Sequence, residues 1–172
     1  MLVYLSGSIE LSPDRGKAWR AELAPFLKSL GHEVYDPAND ERKDLSDNEQ
    51  RNFRAWKHSD LPRFQQVMRK IIAYDLDWIE HRTDYIVAYW DDFATRGAGT
   101  QAELSFAHRH DIPVYLVSAM PVAAVSGWML GCATEVFMSF ESLKAYLRER
   151  YAVAEAPLPT EPLAQTQAAG LP

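Results

Sequence analysis

With 172 residues, 47% of them hydrophobic and 12% aromatic, the chain is long enough to bury one core and too apolar for a disordered polymer. Its net charge of -6 excludes a general affinity for a nucleic-acid polymer or an anionic membrane, while leaving room for local basic residues to hold a small anion. A single cysteine, Cys132, rules out an internal disulfide or a cysteine zinc cage, and the five histidines lack metal-ligand spacing, so neither metal nor cofactor is expected.

Leu2 to Leu5 is a short apolar run ending in SGS, the pattern of a buried parallel strand followed by a turn. Between residues 14 and 30, Trp19, Leu23, Phe26, Leu27 and Leu30 recur at helical spacing, and Gly31 follows as the stop. HEVYDP is a second strand ended by Pro37. Residues 38–60 are polar and charged and read as a surface excursion, with Ser46 and Glu49 in capping-box register ahead of a short helix around Phe53 and Trp56.

Asp60 and Pro62 open a long helix to about Arg82, with a stripe of Phe64, Met68, Ile71, Ile72, Trp78 and Ile79. YIVAYW (85–90) is a strand, TRGAGT (95–100) a loop, and Gln101 to His110 a helix. IPVYLVS (112–118) and EVFMSF (135–140) complete five strands, and ESLKAYLRERY is a final helix. Residues 114–133 are apolar enough to suggest a membrane span, but Pro121, two serines and two glycines interrupt them. MLVYLSGSIE also lacks the charged start and long apolar stretch of a signal peptide, so a cytoplasmic protein is expected. The organisation is one domain over 1–151 and a disordered Ala/Pro/Thr-rich tail over 152–172.

Strands alternating with helices imply an α/β fold, a doubly wound parallel sheet of about five strands flanked by helices. Ligands of such sheets bind beyond the carboxyl ends of the strands, where the strand order reverses. That rule selects Ser6, Gly7 and Ser8 after the first strand, the segment after the second, and TRGAGT after the third of the strands.

Two carboxylates stand out. Thr100 and Glu103 form T-x-x-E, which reads as a helix cap. The glycines before them, Gly97 and Gly99, equally allow a ligand to approach a helix mouth whose field favours an anionic carboxylate, as a nucleophile at a sugar carbon requires. Asp75 lies on the apolar stripe of the long helix, where a carboxylate is costly, whereas Asp77 is turned roughly 200° away by the helix period. Asp75 is either a hydrogen-bonding structural residue or half of a carboxylate pair suited to glycosidic cleavage. Tyr4 is either core or a hydroxyl that steers a nearby carboxylate.

YLSGSI, GHEVYDP, YDLDWIEHRTDYIVAYW and GAGTQAELSFAHRHDIPVYLV together resemble the nucleoside 2-deoxyribosyltransferase family, which includes nucleoside 5'-monophosphate N-glycosidases. The resemblance spans roughly residues 2–150, apart from the excursion near 40–60, and rests chiefly on D-L-x-W-I paired with G-T-x-x-E. It implies a flavodoxin-like fold and cleavage of an N-glycosidic bond through a covalent sugar–enzyme intermediate, followed by transfer to another base or to water. The resemblance places the nucleophile at Glu103, the residue handling the base proton at Asp75, and a supporting hydroxyl at Tyr4. It further implies a homo-oligomer in which VSGWMLG, with Ser126 and Trp128, completes a neighbour's site. Many transferases carry an aspartate where this chain has Gly97, with Asp91 and Asp92 as its possible replacements. EHRTD is one residue longer than typical. Arg96, Ser8 and Ser126 suit a 5'-phosphate and Glu10 opposes one, so the substrate is a small nucleoside or nucleotide. The rival reading is a non-catalytic nucleotide-binding sensor of the same fold.

Overall fold

The computed structural model describes residues 1–40 and 42–151; the tail expected at 152–172 lies outside them. Five strands form one parallel sheet: β1 (Leu2–Gly7), β2 (Glu33–Tyr35), β3 (Tyr85–Trp90), β4 (Val114–Ser118) and β5 (Glu135–Phe137), in the order β2-β1-β3-β4-β5. This is the flavodoxin-like order, with its switch point between β1 and β3. Among the described residues six α-helices cover it: α1 (Lys17–Ser29), α2 (Asp47–Ser59), α3 (Leu61–Arg82), α4 (Ala98–Arg109), α5 (Gly127–Cys132) and α6 (Phe140–Tyr151).

The period-two alternation of a strand sorts β1 between two cores. Val3 and Leu5 pack with Leu23 and Leu27 of α1 and Leu143 and Leu147 of α6. Tyr4 faces the opposite side, among Ile86, Ala88 and Trp90 of β3, Ile79 of α3 and Leu104 of α4. Each fully buried Leu or Ile contributes on the order of 1.5–3 kcal/mol, so burial on both sides fixes the register. The same alternation puts Ser6 on Tyr4's side.

Helix signals in the sequence act as read. Asp60 caps α3 by accepting from the Arg63 N–H, and Ser46 and Glu49 close a capping box on α2. Gly31 takes φ +78 behind α1. The apolar stretch at 114–133 is divided among β4, a 3-10 turn (Val122–Ala124) and α5, and no helix among the described residues is long and apolar enough to cross a membrane.

Four details differ from the sequence reading. Helix α4 begins at Ala98, three residues before Gln101, because Gly97 serves as its N-cap position. VSGWMLG, read as loop-like, holds most of α5. β5 ends at Phe137, and Phe140 already belongs to α6. Ile72 is half exposed and lies off the buried face of α3, which runs through Val67, Asp75 and Ile79.

Candidate active site

Strand β1 delivers two hydroxyls to one helix. Tyr4 Oη donates to Glu103 Oε1 at 2.9 Å and Ser6 Oγ to Glu103 Oε2 at 2.5 Å. They reach it because i and i+2 of a strand share a face and α4 packs on that face. Glu103 is therefore no cap. The early start of α4 puts it six residues inside the helix and leaves Thr100 buried in the first turn. A helix-end field fades within that first turn, so two O–H donors face the carboxylate instead.

Asp75 is buried on α3, and Lys43 Nζ lies 2.7 Å from both of its oxygens. Burial raises the Asp75 carboxyl to about 6; Lys43 opposes that rise, while the charges of Glu103 and Asp40 add to it. Burial also pushes the Tyr4 hydroxyl well above its ordinary value, reinforced by Glu103 and then Asp75. Tyr4 is thus held as an O–H donor. Tyr4, Glu103 and Asp75 form one electrostatic unit over β1, with Ser6 joining it near the strand's carboxyl end.

The lone aspartate and the strand residues had a sequence signal; several of their supports did not. Lys43 comes from the excursion read as mere surface. Asp40 anchors that excursion, accepting from Tyr35 Oη at 3.0 Å, from Tyr74 Oη at 2.9 Å and from the Lys43 N–H at 3.3 Å. Burial works against the Asp40 carboxylate, yet these donors hold its pKa below the ordinary value. Tyr35 stacks on Trp78 with centroids 4.1 Å apart and meets Tyr4 at 5.3 Å, walling this side of the cluster.

Arg20 is the other unforeseen support. Almost fully buried, it donates to the carbonyls of Leu5, Gly7 and Gly16 and sits 3.3 Å from Asp36 Oδ1. It fixes the end of β1 from which Ser6, Gly7 and Ser8 project. An arginine at a helical position near Trp19 carries no signal of such burial; its five N–H groups acquire partners only once the loop folds around it.

Other expected residues lie apart from the cluster. Arg96 is exposed, donating Nε to the Asp92 carbonyl at 3.3 Å and lying over the Phe93 ring. Asp91 accepts from the N–H groups of Phe93 and Ala94, so it shapes the turn after β3. Ser126 is exposed at the start of α5. Trp128, 72% exposed, donates Nε1 to Ser105 Oγ at 2.9 Å rather than reaching Glu103 within the chain. Glu10, expected to repel a phosphate, is paired with Lys57 at 2.7 Å.

No protein-family model matches the sequence, and no curated protein matches it. Solved structures do. A 2-deoxyribosyltransferase from Bacillus psychrosaccharolyticus is 18% identical at TM-score 0.55, over 85% of this chain and 92% of that one. One from Leishmania mexicana is 19% identical at TM-score 0.54, over 87% and 98%. A CMP N-glycosidase from Clostridium botulinum is 15% identical at TM-score 0.52, over 87% and 99%. These neighbours carry the activities named by the sequence resemblance, and at such identities the likeness is one of architecture: the chain has the fold of the nucleoside 2-deoxyribosyltransferases and their N-glycosidase relatives.

Proposed function

We propose that this protein is an enzyme that cleaves the N-glycosidic bond of a nucleoside or nucleoside 5'-monophosphate. The observation that carries the reading is the Tyr4–Ser6–Glu103 constellation with a buried Asp75 coupled to it. A nucleotide sensor has no need of two carboxylates confronting each other; a double displacement at C1' needs both.

Glu103 attacks C1' as the nucleophile, forming a C1'–O bond as the C1'–N bond breaks and its electron pair passes to the base. Asp75, in its acid form, gives the departing base a proton. Tyr4 and Ser6 orient Glu103 while it waits as a carboxylate. A second base, or water, then attacks C1' from the opposite side, Asp75 recovers a proton, and Glu103 is released. Gly7, Ser8, Gly97, Gly99 and Thr100 line the mouth that receives the sugar, and Arg96, Ser126 and a neighbour's Trp128 close it when copies of the chain associate. The site uses no metal or cofactor in this scheme.

The test is base release from a panel of ribo- and 2-deoxyribonucleosides and their 5'-monophosphates, with and without an acceptor base. Free base with water alone identifies a glycosidase, and base exchange identifies a transferase. Tight binding without release of any base favours the sensor reading and removes this one.

A further inference from the structure

The excursion between β2 and α2 lies outside the family resemblance, yet among the described residues it supplies the one cation in contact with Asp75. Two consecutive residues, Lys43 at φ +38 and Asp44 at φ +57, take the left-handed conformation that side-chain-bearing residues rarely adopt. That fold turns the Lys43 side chain back into the cleft. Asp40, held by Tyr35 from β2 and Tyr74 from α3, grips the turn through the Lys43 N–H. The ammonium arrives 11% exposed and meets an Asp75 side chain 13% exposed.

An ammonium carries three N–H donors, and the two oxygens of Asp75 engage at most two of them. Among the described residues Asp75 is the only group hydrogen-bonded to Lys43 Nζ, whose charge also acts on Asp40. One donor therefore remains beside the group that faces the leaving base. We propose that Lys43 is the positioning residue for Asp75, and that its remaining N–H reads the nucleobase together with Asp75; this rests on the glycosidic reading above. Asp75 in its acid form and Lys43 are then neighbouring donors. They match a base edge presenting two adjacent acceptors, such as N7 and O6 of a 6-oxopurine, and oppose one pairing an acceptor with an amino donor, such as N7 and N6 of a 6-aminopurine.

Titration of Asp75 responds to every charged or titratable group around it: Lys43 from the excursion, Glu103 from α4, Asp40 from the turn after β2, Tyr4 from β1 and Tyr35 from β2. Among these described residues only Lys43 is a cation. Its removal by Lys43→Met, which keeps the chain length, must move the Asp75 titration upward, and Lys43→Arg must restore it.

Two measurements on the full chain decide this. The first is a carbon NMR titration of the Asp75 carboxyl, its signal identified by Asp75→Asn, in wild type, Lys43→Met and Lys43→Arg; it needs no turnover. An upward displacement in Lys43→Met that Lys43→Arg reverses is expected, and an unmoved titration overturns the positioning role. The second is kcat/KM for a 6-oxopurine nucleoside against the matching 6-aminopurine nucleoside. A charged hydrogen bond gained by one base and denied to the other predicts roughly a tenfold to hundredfold preference in wild type, lost in Lys43→Met. A preference that is absent, or that survives Lys43→Met, overturns the base-reading role, as does failure to cleave either purine while other nucleosides are cleaved. A wild type that releases no base at all while the NMR displacement is present strikes the glycosidic reading and leaves the pairing intact.

Discussion

Glu103 accepts hydrogen bonds from two hydroxyls and from no backbone N–H of its own helix start, which separates its chemistry from its stability. Glu103→Gln keeps the size and one acceptor oxygen, and the Tyr4 and Ser6 hydroxyls rotate to suit an amide. Melting should stay within a few degrees of wild type while base release falls to near background; a variant retaining most of its turnover would falsify the nucleophile assignment. Asp75 adds a pH signature. Its folded pKa of about 6 exceeds that of an unfolded aspartate, so the folded state binds the extra proton and Asp75 stabilises the fold less as pH rises through that window. As a general acid it also loses its proton there, so kcat/KM should decline above about pH 6. Asp75→Asn should cost about 10²–10⁴-fold in base release, and the melting difference between it and wild type should favour wild type progressively as pH falls from 7 toward 4. Asp77→Asn, exposed beside His81 and Arg82, should leave both readouts unchanged. Glu103 and Asp75 stood out in the sequence for opposite reasons: one is a carboxylate behind a glycine turn, where a helix mouth favours it, and the other a carboxylate on an apolar stripe, where burial is costly. Lys43 and Arg20 did not. A cation in a charged stretch looks solvated until tertiary structure gives it a partner.

At the scale of elements, periodicity located nearly every strand and helix, and it failed where local rules compete. The box at Thr100 and Glu103 matched a helix start, but Gly97 offers the chain an earlier one, and the extra turn moves Glu103 from the helix mouth to a position over β1. Ile72 fitted the 3.6-residue period loosely; the sheet accepts only a narrow face of α3, and Ile72 falls outside it. The glycines divide into two kinds. Gly16 takes φ +67, and a Cβ there would lie 2.6 Å from the Ser8 carbonyl while also meeting Arg20. Gly16→Ala should therefore cost about 2 kcal/mol or more and shift the Ser6–Ser8 turn, lowering turnover along with the denaturation midpoint. Gly99 lies in the first turn of α4 with nothing within 4 Å of its missing Cβ. Gly99→Ala should raise stability by roughly 0.5–1 kcal/mol, since alanine is the better helix former. If the sugar approaches that backbone, the same change should lower kcat/KM. Opposite signs for stability and activity in one variant, measured by urea denaturation and base release, mark a glycine kept for its ligand. Activity unchanged by Gly99→Ala would assign it to the helix alone.

For the whole molecule, packing brings β1, α3 and α4 together around Tyr4, Ile79 and Leu104, while Trp128 on α5 stands 72% exposed. Its Nε1 is tethered to Ser105, two residues beyond Glu103 on α4 and so turned roughly 200° around the helix from it, which leaves Glu103 of the same chain out of the ring's reach. A tethered, exposed tryptophan is the kind of anchor that interfaces concentrate. The expectation is a homo-oligomer in which one chain's Trp128 covers another chain's Glu103. Sedimentation should show association in wild type that Trp128→Ala weakens, with activity falling as the protein is diluted. Complementation tests the geometry more sharply. Trp128→Ala retains its own Glu103, and Glu103→Gln retains its own Trp128, so each variant alone has no complete site. In a mixed dimer, the site built from Glu103 of the first and Trp128 of the second is intact. Equal mixing with random exchange puts half the dimers in the mixed form with one good site each, so about a quarter of wild-type activity should return. Two inactive variants that stay inactive after verified subunit exchange would place Trp128 outside its neighbour's site, and a fully active monomer would remove the shared site altogether.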